Sequence, residues 1–378
     1  MLKKKSILSV LVIIFMVLII ARPAEVYSAD IETYTQKGYA LEPYEKPVMT
    51  YYTVVENKNK TVEKYSYEAT ASQKLRITDG YKKGSSMRSF LYVGKVNNNN
   101  QSNLALVSKF AEVKNPQSVV ITPDGRYAYI MYVNKGSEST ELKWKGYVIR
   151  YDLQGIRNNH KTEVRNGKAI TLKKADFQYI KKGPTFVTGH GQSMAYNPVT
   201  KELWFIGAPK SIKTNLQRIN TRTLKPDKKI NFTLSETVKM GNNLAFDSEG
   251  NAYFYTRVAN NNWPTAPKDS IKIYKGTIGE KSVSFKMFMQ GIHYPPGPIG
   301  QSFAYNPAND RLYLVDDGAI MSVPVKKLGK LKPSDVRISI LEHSSIRRES
   351  EGLAFTADGE GYYLTNKQPE LMKVPANF

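Results

Sequence analysis

One short pattern returns five times along the chain, and it leaves few folds open. It reads Pro116-Gln117-Ser118-Val119-Val120-Ile121-Thr122-Pro123-Asp124-Gly125, then Gly191-Gln192-Ser193-Met194-Ala195-Tyr196-Asn197-Pro198. It comes back as Gly241-Asn242-Asn243-Leu244-Ala245-Phe246-Asp247-Ser248-Glu249-Gly250, as Gly300-Gln301-Ser302-Phe303-Ala304-Tyr305-Asn306-Pro307, and as Ser350-Glu351-Gly352-Leu353-Ala354-Phe355-Thr356-Ala357-Asp358-Gly359. Each copy is a short apolar run ending in a turn of Asp, Asn, Pro and Gly. A run of aromatic and β-branched residues follows, over 127–132, 202–206, 252–256, 311–315 and 361–365. Two such runs joined by a Gly-bearing turn read as a β-hairpin. Two further strand-like runs follow most copies, and four strands per repeated unit is the mark of a β-propeller.

Spacing and composition agree with this. The copies stand roughly 50 to 75 residues apart, against about 40–50 for a plain blade, so the units carry insertions. The longest step holds a polar, basic segment, 155–168, which reads as an extra loop. Tyr (25), Gly (25) and Pro (19) are plentiful, which favours strands and turns. No long helical periodicity appears, so a doubly wound α/β fold is excluded. The stretch 72–80 looks like a degenerate earlier copy, and counting it gives an all-β propeller of six blades of four antiparallel strands. The ring would then close through 61–67. Five blades closed through 104–110 is the alternative.

The N-terminus reads as an address. Lys3, Lys4 and Lys5 precede an apolar run over 7–21, shorter than the ~20 residues of a spanning helix, and Val26-Tyr27-Ser28 offers a cleavage site. The expected organisation is a signal peptide over 1–28, a linker over 29–45 and the propeller over 46–378. The protein is then secreted, free or held at the cell wall, with no membrane span after cleavage. The 378 residues carry 55 Lys and Arg against 33 Asp and Glu, a net charge of +22. Outside a cell such charge meets anionic envelope polymers and glycans rather than nucleic acid. The absence of cysteine removes disulfides, thiolate nucleophiles and Cys-ligated metals.

The polar residue opening each copy is the candidate site. In a propeller the first strand of each blade lines the central channel. Gln117, Gln192, Asn242, Gln301 and Glu351 therefore converge at one channel mouth, with His190 beside them in Gly189-His190-Gly191-Gln192. Such a ring can hydrogen-bond a hydroxyl-rich ligand, or hold a divalent cation weakly through oxygens. Of the four histidines, His190, His293 and His343 each precede a ring residue by a few positions, whereas His160 does not. They form no local metal-ligand motif. No Gly-x-Ser-x-Gly elbow, His-Glu-x-x-His or phosphate loop is present, so no catalytic residue is assigned.

Three motifs carry a family resemblance. Gly189-His190-Gly191-Gln192, Asp247-Ser248-Glu249-Gly250-Asn251-Ala252-Tyr253-Phe254 and Tyr147-Val148-Ile149-Arg150-Tyr151-Asp152-Leu153 together resemble the helveticin J family of large secreted bacteriocins, over about residues 70–325. The resemblance implies an extracellular, heat-labile antibacterial protein, or a cell-surface relative of one. The first reading is then a secreted, monomeric, bacteriocin-like propeller drawn by its charge to bacterial cell-envelope polymers, which it binds. Two other readings stand beside it. One is a propeller hydrolase or lyase acting on a glycan or lactone, and the other is a passive surface scaffold.

Overall fold

The computed structural model describes residues 31–42, 55–56, 72–77, 86–94, 115–134, 139–257, 268–297, 299–341 and 348–375. They form a β-propeller of five blades. Blade 1 runs outward from Pro116–Ile121 through Tyr127–Asn134 and Lys145–Asp152 to Ile180–Lys182. Blade 2 comprises Ala195–Asn197, Glu202–Ile206, Lys213–Ile219 and Pro226–Thr233. Blade 3 comprises Ala245–Phe246, Ala252–Arg257, Ile271–Ile278 and Val283–His293. Blade 4 comprises Gly300–Asn306, Arg311–Asp316, Ala319–Pro324 and Arg337–Leu341. Blade 5 takes Glu349–Phe355, Gly361–Asn366 and Glu370–Lys373 from the C-terminal end of the chain.

The count corrects the expectation of six. The segment at Gln73 does not open a blade. Ser72–Ile77 is a fifth, outer strand on blade 4, antiparallel to Arg337–Leu341. It forms a hairpin with Ser86–Tyr92, which pairs with Glu370–Lys373 and supplies the fourth strand of blade 5. The ring thus closes through Ser86–Tyr92. The two segments expected to close it, 61–67 and 104–110, lie outside the described residues. The N-terminal portion also adds Glu32–Tyr39 parallel to the outer strand of blade 2 and Val55–Glu56 parallel to that of blade 3. Part of the expected linker 29–45 is therefore a strand. Taken in chain order, the N-terminal strands sit on the rims of blades 2, 3, 4 and 5.

Apolar side chains fill the wedges between neighbouring blades. Val120, Met131 and Val148 of blade 1 meet Met194, Leu203 and Phe205 of blade 2. Trp204, Leu216 and Ile230 of blade 2 meet Phe246, Phe254 and Phe285 of blade 3. Blades 3 and 4 join through Tyr253, Ile271, Leu312 and Met321, and blades 4 and 5 through Tyr313, Ile320, Leu353 and Met372. The last wedge, between blades 5 and 1, holds Leu91, Leu364 and Leu371 against Ile130, Ile149 and Tyr151. Alternate residues of a strand face opposite sides, so each blade serves two wedges.

The Asp-Gly signals of the repeat have a packing reason as well as a turn reason. Gly125 and Gly359 both hold left-handed backbone, φ 69° and 87°. A Cβ at Gly125 would stand 3.2 Å from Thr356 of blade 5, and one at Gly359 2.6 Å from Ala308 of blade 4. The inner hairpins of blades 1 and 5 thus abut those of blades 5 and 4, and the bond from Ala357 N–H to Pro123 O at 2.8 Å ties the first two directly.

The segment 155–168, expected as a loop, is mostly helical. Leu153–Asn159 is capped by Asp152, whose side chain accepts from Gly155 N–H, and Lys161–Arg165 follows. Buried His160 joins the two helices and meets Asp176 at 2.8 Å. Ile156 and Leu172 belong to the wedge between blades 5 and 1. Among the described residues no helix is long and apolar enough to cross a membrane.

Closure through Ser86–Tyr92 makes a direct prediction. Leu91, fully buried and paired with Leu371, is a core residue of the last wedge. Leu91→Ala should destabilise the protein by about 2–5 kcal/mol in urea unfolding, as expected for a buried leucine. A loss below ~0.5 kcal/mol, the size of an ordinary surface change, would mean that this strand does not close the ring.

Candidate functional site

Four of the five predicted ring residues meet. Gln117, Gln192, Gln301 and Glu351 lie at or just ahead of the inner strands of blades 1, 2, 4 and 5, and all four are buried. Gln117 Nε2 donates to Glu351 Oε1 at 3.0 Å, and Gln192 Nε2 to Glu351 Oε2 at 3.5 Å. Gln192 Nε2 also donates to Gln301 Oε1. Gln301 Nε2 donates in turn to Asp317 Oδ1 at 2.9 Å. Asn242, the fifth, lines the same cavity, and among the described residues no hydrogen bond joins it to the other four.

The next position in each copy fixes the ring. Ser118 Oγ donates to Gly191 O at 2.6 Å, linking blade 1 to blade 2. Ser193 Oγ accepts from Ile206 N–H at 2.8 Å. Asn243 pairs with the backbone of Tyr255 through both ends of its amide, at 3.0 and 2.6 Å. The Gln-Ser and Asn-Asn pairs of the repeat thus divide their work. The first residue faces the channel, and the second ties the inner strand to its neighbours. Buried polar groups keep their places only when bonded in this way.

Above the ring opens a cavity of about 630 Å³, within the usual size of a small-molecule site. Its walls include His190, Tyr255, Arg257, Glu349 and Asn366. Below the ring the inner strands turn apolar. Val120, Met194, Leu244, Phe303 and Leu353 surround a separate void of only about 70 Å³. Polar and charged side chains thus gather at one end of the channel and apolar ones at the other.

Two carboxyl groups here hold their protons unusually well. Burial pushes the Glu351 carboxyl well above the ordinary value, and the negative charges of Glu349 and Asp317 add to this. Hydrogen bonds from Asn366 and Gln192 act the other way without offsetting it. Asp316, also buried, is pushed up to about 7 by desolvation, despite Arg257 Nη2 at 2.9 Å and Gly297 N–H at 3.0 Å. A carboxyl that stays protonated near neutrality can donate a proton as well as accept a hydrogen bond.

The histidines separate. His190 lines the cavity, with Nδ1 3.3 Å from Glu141 Oε2 and its ring 5.4 Å from that of Trp144. His293 stacks on Tyr294 and is not in the cavity wall, His160 is buried with Asp176, and His343 lies outside the described residues. Among the described residues no group of three or more His, Asp or Glu side chains is placed to hold a metal ion. Asp317, Glu349, Arg257 and Asn366 belong to the site and were not singled out by the repeat. Glu349 opens the inner strand that carries Glu351, and the other three stand at or just after the second strands of their blades, where the copies do not align.

No protein-family model and no curated protein matches the chain. Solved structures similar to it are propeller enzymes. The periplasmic gluconolactonase of Pseudomonas aeruginosa aligns with TM-score 0.39 and 14% identity over 78% of this chain and 76% of its own. A putative 6-phosphogluconolactonase from Bacteroides uniformis gives 0.36 and 13%, over 78% and 76%. A family AA12 carbohydrate-active enzyme of Trichoderma reesei gives 0.40 and 9%, over 82% and 99%. Likeness at this level says nothing of individual residues, and the propeller here is established by its own sheet pairing. The expectation of a helveticin-like bacteriocin binding envelope polymers is corrected by these findings. No family model, helveticin-like or other, matches the chain, and four of the ring residues are buried at the floor of a small-molecule-sized cavity instead of lying on an open face.

The raised carboxyl groups have a thermodynamic signature. The native protein retains protons that the unfolded chain has already released, so this contribution is complete below the ordinary carboxyl range and is lost as pH rises, up to about 7 for Asp316. Glu351→Gln removes one such group. The variant should be more stable than the parent at pH 8, with the difference shrinking towards pH 4. Urea unfolding at both values checks this, and a difference independent of pH would show that Glu351 is not held protonated.

Proposed function

We propose that the protein is a propeller hydrolase or lyase acting on a sugar lactone or glycan, with its chemistry in the cavity above the ring. One observation carries this reading. A single carboxyl, Glu351, stands among carboxamides at the cavity floor, and its proton is held there by burial. Gln117, Gln192 and Gln301 each carry donor and acceptor atoms suited to fixing sugar hydroxyl groups. Asn242 and Asn366 widen that set from the wall.

For a lactone the step balances as follows. Water adds to the ring carbonyl carbon, the endocyclic C–O bond breaks, and Glu351 gives its proton to the departing oxygen. The proton released by the attacking water restores Glu351. The product is the open hydroxy acid. For a glycan the same proton goes to the glycosidic oxygen as its bond to the anomeric carbon breaks, water adds at that carbon, and the proton it releases restores Glu351. General acid catalysis of this kind contributes about 10²–10⁴ in rate.

The test is turnover on two substrate panels, aldonolactones followed by acid release and glycans followed by new reducing ends. Glu351→Gln should lower the rate by about 10²–10⁴ while leaving the fold intact by circular dichroism. Absence of turnover on both panels, or a Glu351→Gln variant as active as its parent, overturns the reading.

A further inference from the structure

Among the described residues one imidazole lines the cavity, and the fold holds it in place. His190 lies in the wall with its Nδ1 shut off from solvent, 3.3 Å from Glu141 Oε2. Its side chain is nevertheless 21% exposed, and that exposure belongs to the rest of the ring, which carries Nε2. The Trp144 ring packs against the imidazole, 5.4 Å away and tilted by 42°. The other described histidines are placed otherwise. His160 faces a carboxylate from each nitrogen, Glu163 at 3.5 Å and Asp176 at 2.8 Å, and is almost wholly buried. His293 stacks on Tyr294 outside the wall.

Two loops build this placement. Glu141–Lys143 is a single 3-10 turn, and the carbonyl of Trp144 just after it accepts from Thr188 N–H at 3.0 Å and Gly189 N–H at 3.2 Å. The segment leading into His190 is thus tied to the turn that carries Glu141. Gly189 and Gly191, on either side of His190, both hold left-handed backbone, φ 59° and 76°. A Cβ at Gly191 would stand 2.6 Å from Val133 and 3.1 Å from the Met131 sulfur, so only glycine lets the loop pass this close to blade 1. Ser118 Oγ fixes the same residue by its bond to Gly191 O at 2.6 Å. Gln192 follows, and its amide reaches both Gln301 and Glu351. Two residues of chain span at most ~7 Å, so the His190 backbone stands within that distance of a direct partner of Glu351.

We propose that His190 is the general base of the cavity, taking the proton of the attacking water at Nε2, and that Glu141 is its positioning residue. The inference rests on the hydrolase reading above and adds the group that activates the water. Which imidazole nitrogen carries the proton is set by what the other one faces. A carboxylate beside Nδ1 favours the proton there and leaves the lone pair on Nε2. Nε2 takes one proton from water as the water oxygen bonds to the lactone carbonyl carbon, or to the anomeric carbon of a glycan. The bond from that carbon to the departing oxygen breaks, and Glu351 protonates this oxygen. His190 then returns its proton through water in the cavity to Glu351, and both groups regain their starting forms. In the interval the Glu141 carboxylate faces the imidazolium, as an orienting acid does in other imidazole-based sites. Lys210, 3.9 Å from the same carboxylate, competes for it. Base and acid must reach one carbon atom, and they stand on the wall and the floor of one cavity.

The experiment measures kcat and KM against pH for the full-length protein, on the substrate that either panel identifies. The parent should lose activity on the acid side, because a protonated imidazole cannot accept the proton of water. His190→Gln should lower kcat by about 10²–10⁴, and its residual activity should lack that acid limb. His190→Ala should regain part of its rate in added imidazole. Glu141→Gln alters a half-exposed side chain. It should lower kcat about tenfold or more while KM moves by less than about twofold. A His190→Gln variant as active as its parent, or one that keeps the acid limb, overturns the assignment of His190, and the loss in Glu351→Gln then still sustains the hydrolase reading. Should the His190 variants fail to fold by circular dichroism, Glu141→Gln decides alone, and a kcat equal to the parent's overturns the proposal. No turnover on either panel overturns both readings.

Discussion

Everything in this molecule depends on closing a ring of five wedges. A blade alone presents two apolar faces and cannot bury either by itself. Each face is covered only by the next blade, and the last cover is Leu91, Leu364 and Leu371 against Ile130 and Ile149. The chain solves the closure by taking the fourth strand of blade 5 from its N-terminal portion, so that Ser86–Tyr92 lies beside Glu370–Lys373. Opening that seam exposes one whole wedge to water, and at roughly 25 cal/mol per Å² of apolar surface the cost of doing so is steep. The buried ion pair of Arg348 with Glu370 sits in this same blade. Removing either partner would leave the other charge buried without water.

The site inherits its geometry from the closure. Gln117 and Glu351 are 234 residues apart in sequence and hydrogen-bonded in space, and they stand on the two blades that the last wedge joins. Without that wedge the ring has a gap between its first and last members, and Glu351 loses one of its three carboxamide partners, Gln117, Gln192 and Asn366. The hairpin contacts at the other face, Gly125 with Thr356 and Gly359 with Ala308, hold the same inner strands from below. The ring at one mouth and the glycine turns at the other are thus two ends of one set of strands, which is why both recur in the same short sequence pattern.

That shared origin explains what could be read from sequence. Four of five ring members and His190 were visible, because each inner strand repeats its opening residue. The blade count was not. The Ser72–Ile77 segment carries the Ser-Gln opening and ends at Asp79-Gly80, yet it is an outer strand on blade 4. Inner and outer strands share the alternation of two, and nothing in a single strand's pattern says how far from the axis it lies. Asp316-Asp317 stood out in the sequence as adjacent acids, as did Glu349 near Glu351, but their distance from the ring could not be read. Asp317 follows the second strand of blade 4, where the other blades place unrelated residues, and only the folded chain brings it 2.9 Å from Gln301. His293 shows the converse failure, since closeness in sequence to Gln301 did not bring it into the cavity. The helical segment after Leu153 was missed because it is too short to show a helical period, and its order comes from Asp152 and from His160 with Asp176.

The ring also shows why a near-symmetric arrangement carries one acid instead of several. Four carboxamides and one carboxyl differ little in shape, so five-fold packing tolerates the exchange. They differ greatly in electrostatics. Five carboxyl groups at these distances would repel one another once ionised, and five carboxamides would offer no proton at all. One carboxyl among amides is the arrangement in which a proton can be stored at a defined place. Neighbouring amide donors favour the ionised form and burial favours the acid, with Glu349 and Asp317 adding to the second. The balance between these opposing effects, not the presence of a glutamate as such, sets whether Glu351 can act as an acid. Arg257, which lines the cavity, offsets Asp316 only in part, so a second buried acid lies behind the wall, and any anion entering the cavity would strengthen the hold of both on their protons.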